Sequence, residues 1–365
     1  MAEVCVIGAG PAGCTFAARM AQLGHNVHLV EQAVFPRPRI GESFTPGVMP
    51  LLAAARLLTH MEPRSFSRVR SIDVKWEGNW RVREDEREQG LLVDRGLFDQ
   101  SLLAAAKAVG VHVYQPARIF RRERHGTRWI LGISSRDSTA ELEVDFLADA
   151  GGRRRSSSLA QKQTGPCTIA LHRYWRGAKL PKTPRIEAAQ EAWYWGVPLP
   201  DGAYNTIIFL DRECWRSTPG FSLSARFEQW LDRSSLMHEC MEGQPVGRVC
   251  AIDATPYLAR DLVTRQSIRV GDSALAIDPL SSSGVQKAVQ SALSGAVVAN
   301  TLLRRPERTE LALLFYQAQL GEASERHRDW AIGHYRLASI SPETRFWSRR
   351  SFSGVATQEA APPDA

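Results

Sequence analysis

The sequence predicts an α/β fold, and three observations predict it. An apolar stretch, Glu3 to Ile7, runs into Gly8, Gly10 and Gly13 and then into a helix of small residues. A second apolar stretch, Val27 to Val30, follows and ends on the acid Glu31. More than two hundred residues later, the strand-like Ser267 to Val270 leads into Gly271-Asp272 and another small-residue helix. Strand, glycine turn, helix, strand and acid in that order describe a Rossmann-like dinucleotide site. Gly8 allows the tight turn, Gly10 lets backbone approach a pyrophosphate, and Gly13 lets the helix pack on the strand. The helix from Pro11 to Leu23 turns its free N–H groups and positive dipole end toward the phosphates. Glu31, eighteen positions after Gly13, is spaced to accept from ribose hydroxyls and to repel a 2′-phosphate.

The remaining elements are read in order. Two prolines stiffen the loop from Phe35 to Ser43. Thr45 is expected to cap a helix through Met49, Leu51, Leu52 and Leu58. Ser71 to Arg83 reads as a hairpin turning at Glu77-Gly78-Asn79. Leu91 to Asp94 is a short strand, Arg95 to Val109 a helix, and Val111 to Val113 a further parallel strand. Ile119 to Leu147 reads as a β meander ending on an apolar strand, Val144 to Ala148. Thr168 to Ala254 is strand-rich and aromatic, interrupted by a helix near Ser222 to Leu236. Helices follow at Ser283 to Leu303 and Leu311 to Leu337. Four units are expected: a discontinuous nucleotide domain (1–62, 90–155, 256–304), a mainly antiparallel substrate domain (63–89, 156–255), a helical segment (305–350) and a disordered tail (351–365).

The 365 residues carry a net charge of +7, with arginines clustered at 118–124, 153–155 and 349–350. They suit docking of an acidic partner or of cofactor phosphates, solvated surface is the simpler account, and no nucleic-acid motif accompanies them. No apolar run is long enough to span a membrane, and no secretory signal opens the chain. The six cysteines are scattered without metal spacing, as expected of reduced thiols in a cytoplasmic protein.

The glycine motif, Val93-Asp94-Arg95-Gly96, and Gly271-Asp272 with Asp278-Pro279 together resemble the class A flavin monooxygenase superfamily. Phe35-Pro36-Arg37, Ile40-Gly41-Glu42-Ser43 and Trp193-Tyr194-Trp195-Gly196-Val197-Pro198 resemble its flavin-dependent halogenase branch, with Val197 where that branch carries isoleucine. Leu92 to Gly96 and Asp278 to Lys287 are similar to flavoprotein monooxygenases that modify a partner's tryptophan in tryptophylquinone biogenesis. The resemblance implies a p-hydroxybenzoate hydroxylase-like fold and FAD. It places the cofactor against Gly8, Gly10, Pro11, Ala12, Gly13, Glu31, Gln32, Arg39, Gly41, Ser43, Arg95, Ala117, Asp149, Gly271, Asp272, Pro279, Gly284 and Val285. Asp272 would bond the ribityl chain, and the helix from Ser283 would face the flavin N1/O2 edge.

The chemistry the resemblance implies is hydroxylation of an aromatic substrate through a flavin C4a-hydroperoxide, on a small molecule or on a tryptophan of a partner protein. Halogenation of an electron-rich aromatic is the alternative, and FAD-dependent reduction a third reading, weakened because Arg39 to Ser43 lacks the cysteine of those relatives. With no second glycine motif, reducing equivalents must come from outside, as NAD(P)H or through a separate flavin reductase. Lys75 is the candidate catalytic lysine. Ile72, Val74 and Trp76 alternate with Asp73 and Lys75, and the second set is read as facing the substrate cavity. Trp193 and Trp195 share one side of a strand and are candidates for the cavity wall. Glu42, beside the expected flavin, would tune or gate it, or cap the following helix.

Overall fold

The structure, a computed structural model, describes residues 1–61, 66–84, 90–136, 138–153, 161–218, 222–338 and 344–352. The disordered tail expected from 351 lies outside them, apart from Ser351, which closes a helix, and Phe352.

Glu3–Ile7 is a buried strand because four of its five residues face packed elements on both sides of a sheet. It pairs in parallel with Asn26–Val30 on one side and Phe146–Asp149 on the other. His112–Tyr114 and Ser267–Arg269 extend these two edges in parallel, and Val263–Thr264 adds an antiparallel edge. The helix Pro11–Gln22 lies on this sheet and packs against the helices Arg95–Ala108 and Gly284–Arg304. Glycine brings the last of these helices close to the sheet: a Cβ on Gly295 would come within 2.8 Å of Val270, which follows the strand Ser267–Arg269.

A seven-stranded sheet forms the second layer. Its order is Gln244–Asp253, Thr168–Arg176, Tyr204–Asp211, Ala192–Pro198, Arg185–Ala188, Ser71–Lys75 and Trp80–Glu84. All neighbours are antiparallel except Arg185–Ala188 with Ser71–Lys75. Strand alternation splits its side chains into two cores. One holds Leu171, Tyr194, Ile208 and Leu210 against the helix Leu223–Leu231; the other holds Ala170, Trp193, Ile207 and Phe209. The C-terminal helices Thr309–Leu337 and Arg345–Ser351 close the second core with Tyr335 and Trp347. Arg350 locks this closure: its buried guanidinium donates to Asp211 Oδ1 at 2.6 Å and Thr168 Oγ1 at 2.9 Å.

The expected meander is present as Arg118–His125, Arg128–Ser134 and Thr139–Val144. One local expectation is corrected. Thr45 does not cap the next helix, which spans Val48–Ala54 with Gly47 at its N-cap. The Thr45 hydroxyl instead donates to Gln286 Oε1, a tertiary bond that outcompetes the local one.

Candidate functional site

A single cavity of about 1790 Å³ runs from the glycine turn to the face of the seven-stranded sheet. At its first end, Gly8 has φ of +94°, and a Cβ there would lie 2.7 Å from Ala150 O. A Cβ on Gly13 would lie 1.8 Å from Gly8 O. These two glycines serve the protein's own packing. Gly10 differs: the nearest atom to its would-be Cβ is 3.9 Å away. Space is therefore left at the uncapped N-terminus of Pro11–Gln22, whose first turn carries no acid. That is the arrangement a pyrophosphate needs. Gly10, Pro11, Ala12, Glu31, Gln32, Arg39 and Ala117 line this end. Glu31 accepts from Ala9 N and Ala33 N at 2.8 and 2.7 Å. Two bonds leave lone pairs for a ribose hydroxyl, since a carboxylate offers about four acceptor positions.

The loop before Ser43 forms one wall, where Gly41, Glu42, Ser43 and Arg95 line the cavity. Arg95 donates to Ile40 O at 3.0 Å and grips Asp99, one helical turn on, at 3.1 Å. Glu42 is 2% exposed. It accepts from Gly41 N at 2.8 Å, the Tyr174 hydroxyl at 2.6 Å and Asn205 Nδ2 at 3.1 Å. Tyr174 and Asn205 belong to the seven-stranded sheet. Glu42 therefore ties the nucleotide-side loop to the substrate-side sheet. Burial pushes its carboxyl above the usual range, against the lowering by the Tyr174 hydrogen bond, and burial and Glu42 together raise Tyr174. Glu42 does not cap the next helix, which begins six residues later.

At the opposite wall Asp272, Pro279, Gly284 and Val285 line the cavity. Gly284 opens the helix Gly284–Arg304; its N-cap Ser283 makes no side-chain cap, and no atom lies within 4 Å of a Cβ built on Gly284. A second set of unpaired helix amides thus faces the cavity, suited to negative charge. Burial alone would raise Asp272, but Lys287 at 2.8 Å and Arg153 at 3.5 Å hold it below the ordinary value.

Ala170, His172, Ile186, Trp193, Trp195, Ile207 and Phe209 form the sheet wall. Trp193 stacks on Phe209 with centroids 3.7 Å apart. Both rings are nearly buried, so they meet the cavity only at its margin.

Four expected site residues are not brought to the cavity. Lys75 is corrected first. Val74 pairs with Ile186 and packs in the cavity-side core, so alternation sends Lys75 to the far face. There its ammonium donates to Ser235 Oγ at 2.6 Å and approaches Glu187 at 3.4 Å. No lysine lines the cavity among the described residues. Asp149 is corrected second: its carboxylate accepts from Gly151 N at 2.9 Å and stays within the turn. Gly271 is corrected third: with φ of +66° it leaves the sheet, and a Cβ would lie 2.6 Å from Ala12 Cβ. Gly13 lies under the turn, as its packing role requires. The sequence reading missed His172, Tyr174, Asn205 and Asp99. Of these, only Asp99 had a local signal, its spacing of four from Arg95 on one helix.

Uncapped amides, open glycines and an acid at ribose distance along the chain fit FAD. No helix among the described residues is long and apolar enough to cross a membrane, and all six cysteines are free.

The sequence matches the tryptophan halogenase family over residues 77–360 and an NAD(P)-binding Rossmann-like domain over residues 6–66. A tryptophan 2-halogenase of Chondromyces crocatus is 28% identical to it over 96% of this chain and 71% of its own. Among solved structures, the peptidyl tryptophan dihydroxylase QhpG is 28% identical, with a TM-score of 0.80 over 98% of this chain and 80% of that one. The flavin-dependent halogenase CmlS has the same fold, with a TM-score of 0.86 and 24% identity over 96% of this chain and 68% of that one. With most of its length matched, and a cavity built for FAD, this FAD-dependent oxidoreductase belongs to the tryptophan halogenase family.

Proposed function

We propose that the protein halogenates an electron-rich aromatic substrate with FAD as cofactor. The observation that carries this reading is the single cavity in which the dinucleotide cradle opens directly onto an aromatic wall. The halogenase relatives support it and move halogenation ahead of hydroxylation. FAD, when bound and reduced, supplies the oxygen-activating chemistry. The chain's own residues bind and orient. Gly10 and the following helix receive the pyrophosphate, Glu31 the ribose, and the helix from Gly284 the negative charge of the reduced ring. Asp272, held ionised by Lys287 and Arg153, accepts from hydroxyls of the cofactor chain. Trp193, Trp195 and Phe209 hold a planar substrate and keep water from it. Reducing equivalents are supplied from outside the chain, by a separate flavin reductase or by NAD(P)H.

Hydroxylation is the second reading, and one observation favours it. Lys75, the candidate catalytic lysine, faces away from the cavity, and no other lysine lines it among the described residues. QhpG, a peptidyl tryptophan dihydroxylase, is a structural relative. A tryptophan of a partner protein is the substrate on this reading.

Mass spectrometry of the products separates the two. FAD-loaded protein is supplied with a flavin reductase, NADH and oxygen, with tryptophan, phenol and a tryptophan-containing peptide as substrates, with and without chloride and bromide. Replacement of one ring hydrogen by halogen supports the first reading. Gain of oxygen without halide dependence overturns it in favour of the second.

A further inference from the structure

The helix Thr309–Leu337 carries apolar residues on both of its sides. Ala312, Tyr316, Leu320, Ser324, Ala331 and Tyr335 form the buried side. On the outer side Leu311, Phe315, Trp330 and Leu337 are 68, 51, 41 and 51% exposed. Single exposed apolar residues are common, but several aligned along one helix mark an interaction surface. Between them lie Ala318, Glu322, Arg326 and Gly333, all exposed. At about 100° per residue, these eight positions fall within about 60° of the line opposite the buried Ser324. They form one stripe, roughly 39 Å long at a rise of about 1.5 Å per residue.

The stripe is symmetric about Ser324. Leu311 and Leu337 lie thirteen residues to either side of it, Phe315 and Gly333 nine, Ala318 and Trp330 six, and Glu322 and Arg326 two. A second copy running antiparallel, related by a two-fold axis at the level of Ser324, sets each residue opposite its mate. Size and charge then match: Phe315 meets Gly333, Trp330 meets Ala318, Leu311 meets Leu337, and Glu322 meets Arg326. Within one chain Arg326 already approaches Glu322 at 3.3 Å, so two copies close a ring of four alternating charges. A parallel copy would instead set Glu322 against Glu322 and Phe315 against Phe315. No packing within its own chain calls for Gly333: among the described residues nothing lies within 4 Å of a Cβ built there, and glycine weakens a helix interior. Trp330 is held along the helix by stacking on His334, with centroids 3.8 Å apart. An unrelated partner has no need of a pattern symmetric about one residue; a second copy of this chain does.

We propose that this stripe is the interface of an antiparallel homodimer, the helix Thr309–Leu337 of each copy lying along that of the other. The apolar pairs supply the burial, and the charges fix direction and register. One helix pair is a small interface, so the dimer is reversible. None of the eight residues lines the cavity, which stays open in the dimer. On the inner side of the same helix, Tyr335 donates to Asp278 at the cavity wall at 2.8 Å. The dimer therefore backs the element that closes the substrate side.

Sedimentation equilibrium of the full chain over a rising range of concentration tests it. The wild type is expected to pass reversibly from the mass of one chain to that of two. Phe315→Ser should weaken association by about tenfold or more while the dilute monomer melts like wild type. Gly333→Trp has room in the monomer and should also weaken association, because it fills the place of Phe315 from the other copy. Glu322→Arg and Arg326→Glu should each do the same, since each sets like charges across the axis. Mixed in equal amounts, these two charge variants should associate again, because one brings two cations and the other two anions to the same ring. A wild type that stays a single chain at every concentration, a result that needs no variant to fold, overturns the proposal. So does a dimer that all four variants leave intact, which must use another surface. A dimer weakened by Phe315→Ser but indifferent to both charge variants overturns the antiparallel register.

Discussion

At the scale of single residues, the two candidates for catalysis, Glu42 and Lys75, have opposite fates. Glu42 is buried and satisfies three donors from two parts of the fold. Glu42→Ala strands the Tyr174 hydroxyl and the Asn205 amide and is expected to cost about 2–4 kcal/mol, read as a lowered denaturant midpoint. Glu42→Gln keeps the Tyr174 acceptor and is expected to cost less. Lys75 is a third exposed, and its partner Glu187 also accepts from Ser234, Ser235 and Leu236. Lys75→Ala therefore leaves Glu187 satisfied. It is expected to cost at most about 1 kcal/mol and to leave turnover within about threefold of wild type. A collapse of turnover at normal FAD content would show that Lys75 reaches the reacting atoms. Period-two alternation separates the faces of a strand but does not say which one meets the cofactor. That depends on how Ser71–Lys75 docks beside Arg185–Ala188, which is not a local property.

At the scale of elements, the strand-turn-helix at the N-terminus was legible because each of its signals is local. Gly8, Gly10 and Gly13 differ in what surrounds them, and the difference is testable. Gly13→Ala forces a Cβ to within 1.8 Å of Gly8 O and is expected to abolish soluble, folded protein. Gly10→Ala meets nothing closer than 3.9 Å and should melt like wild type without cofactor. FAD affinity, measured by flavin fluorescence, should nevertheless fall by tenfold or more, about 1.4 kcal/mol. An unchanged affinity would remove the pyrophosphate from this turn. The helices Arg95–Ala108 and Gly284–Arg304 were legible for the same local reason, as was the hairpin turning at Gly78. Thr45 was misread because its partner, Gln286, is 241 positions away. His172, Tyr174 and Asn205 were not legible at all. Their neighbours are set by the pairing of Thr168–Arg176 with Tyr204–Asp211, and sequence alone does not fix that register.

At the scale of the whole molecule, histidines withdrawn from water weaken the fold in acid. His25, His172 and His327 are all held below the ordinary value by burial, His172 down to about 4. Below pH 6.5 the unfolded chain binds protons that these folded sites refuse, so stability falls as pH falls. For His172 the loss runs from about pH 6.5 to about pH 4 and amounts to about 3 kcal/mol at most. Thermal midpoints of wild type and His172→Phe, compared from pH 7 to pH 4.5, should show a flatter decline in the variant. Parallel curves would mean that the imidazole is solvated in solution.

The parallel sheet also imposes an order on the chain's synthesis. The strand Glu3–Ile7 leaves the ribosome first, yet its sheet is extended by Ser267–Arg269 and its helix is covered by Gly284–Arg304. At ~5–20 residues per second, an interval of roughly 15–60 s separates the first helix from the last one that shields it. During that time the face of Pro11–Gln22 that Gly284–Arg304 will cover has no permanent partner. A nascent chain of this topology is a client for chaperones until nearly all of its length has emerged, and a ribosome stalled before residue 284 would display a sticky, unfinished core.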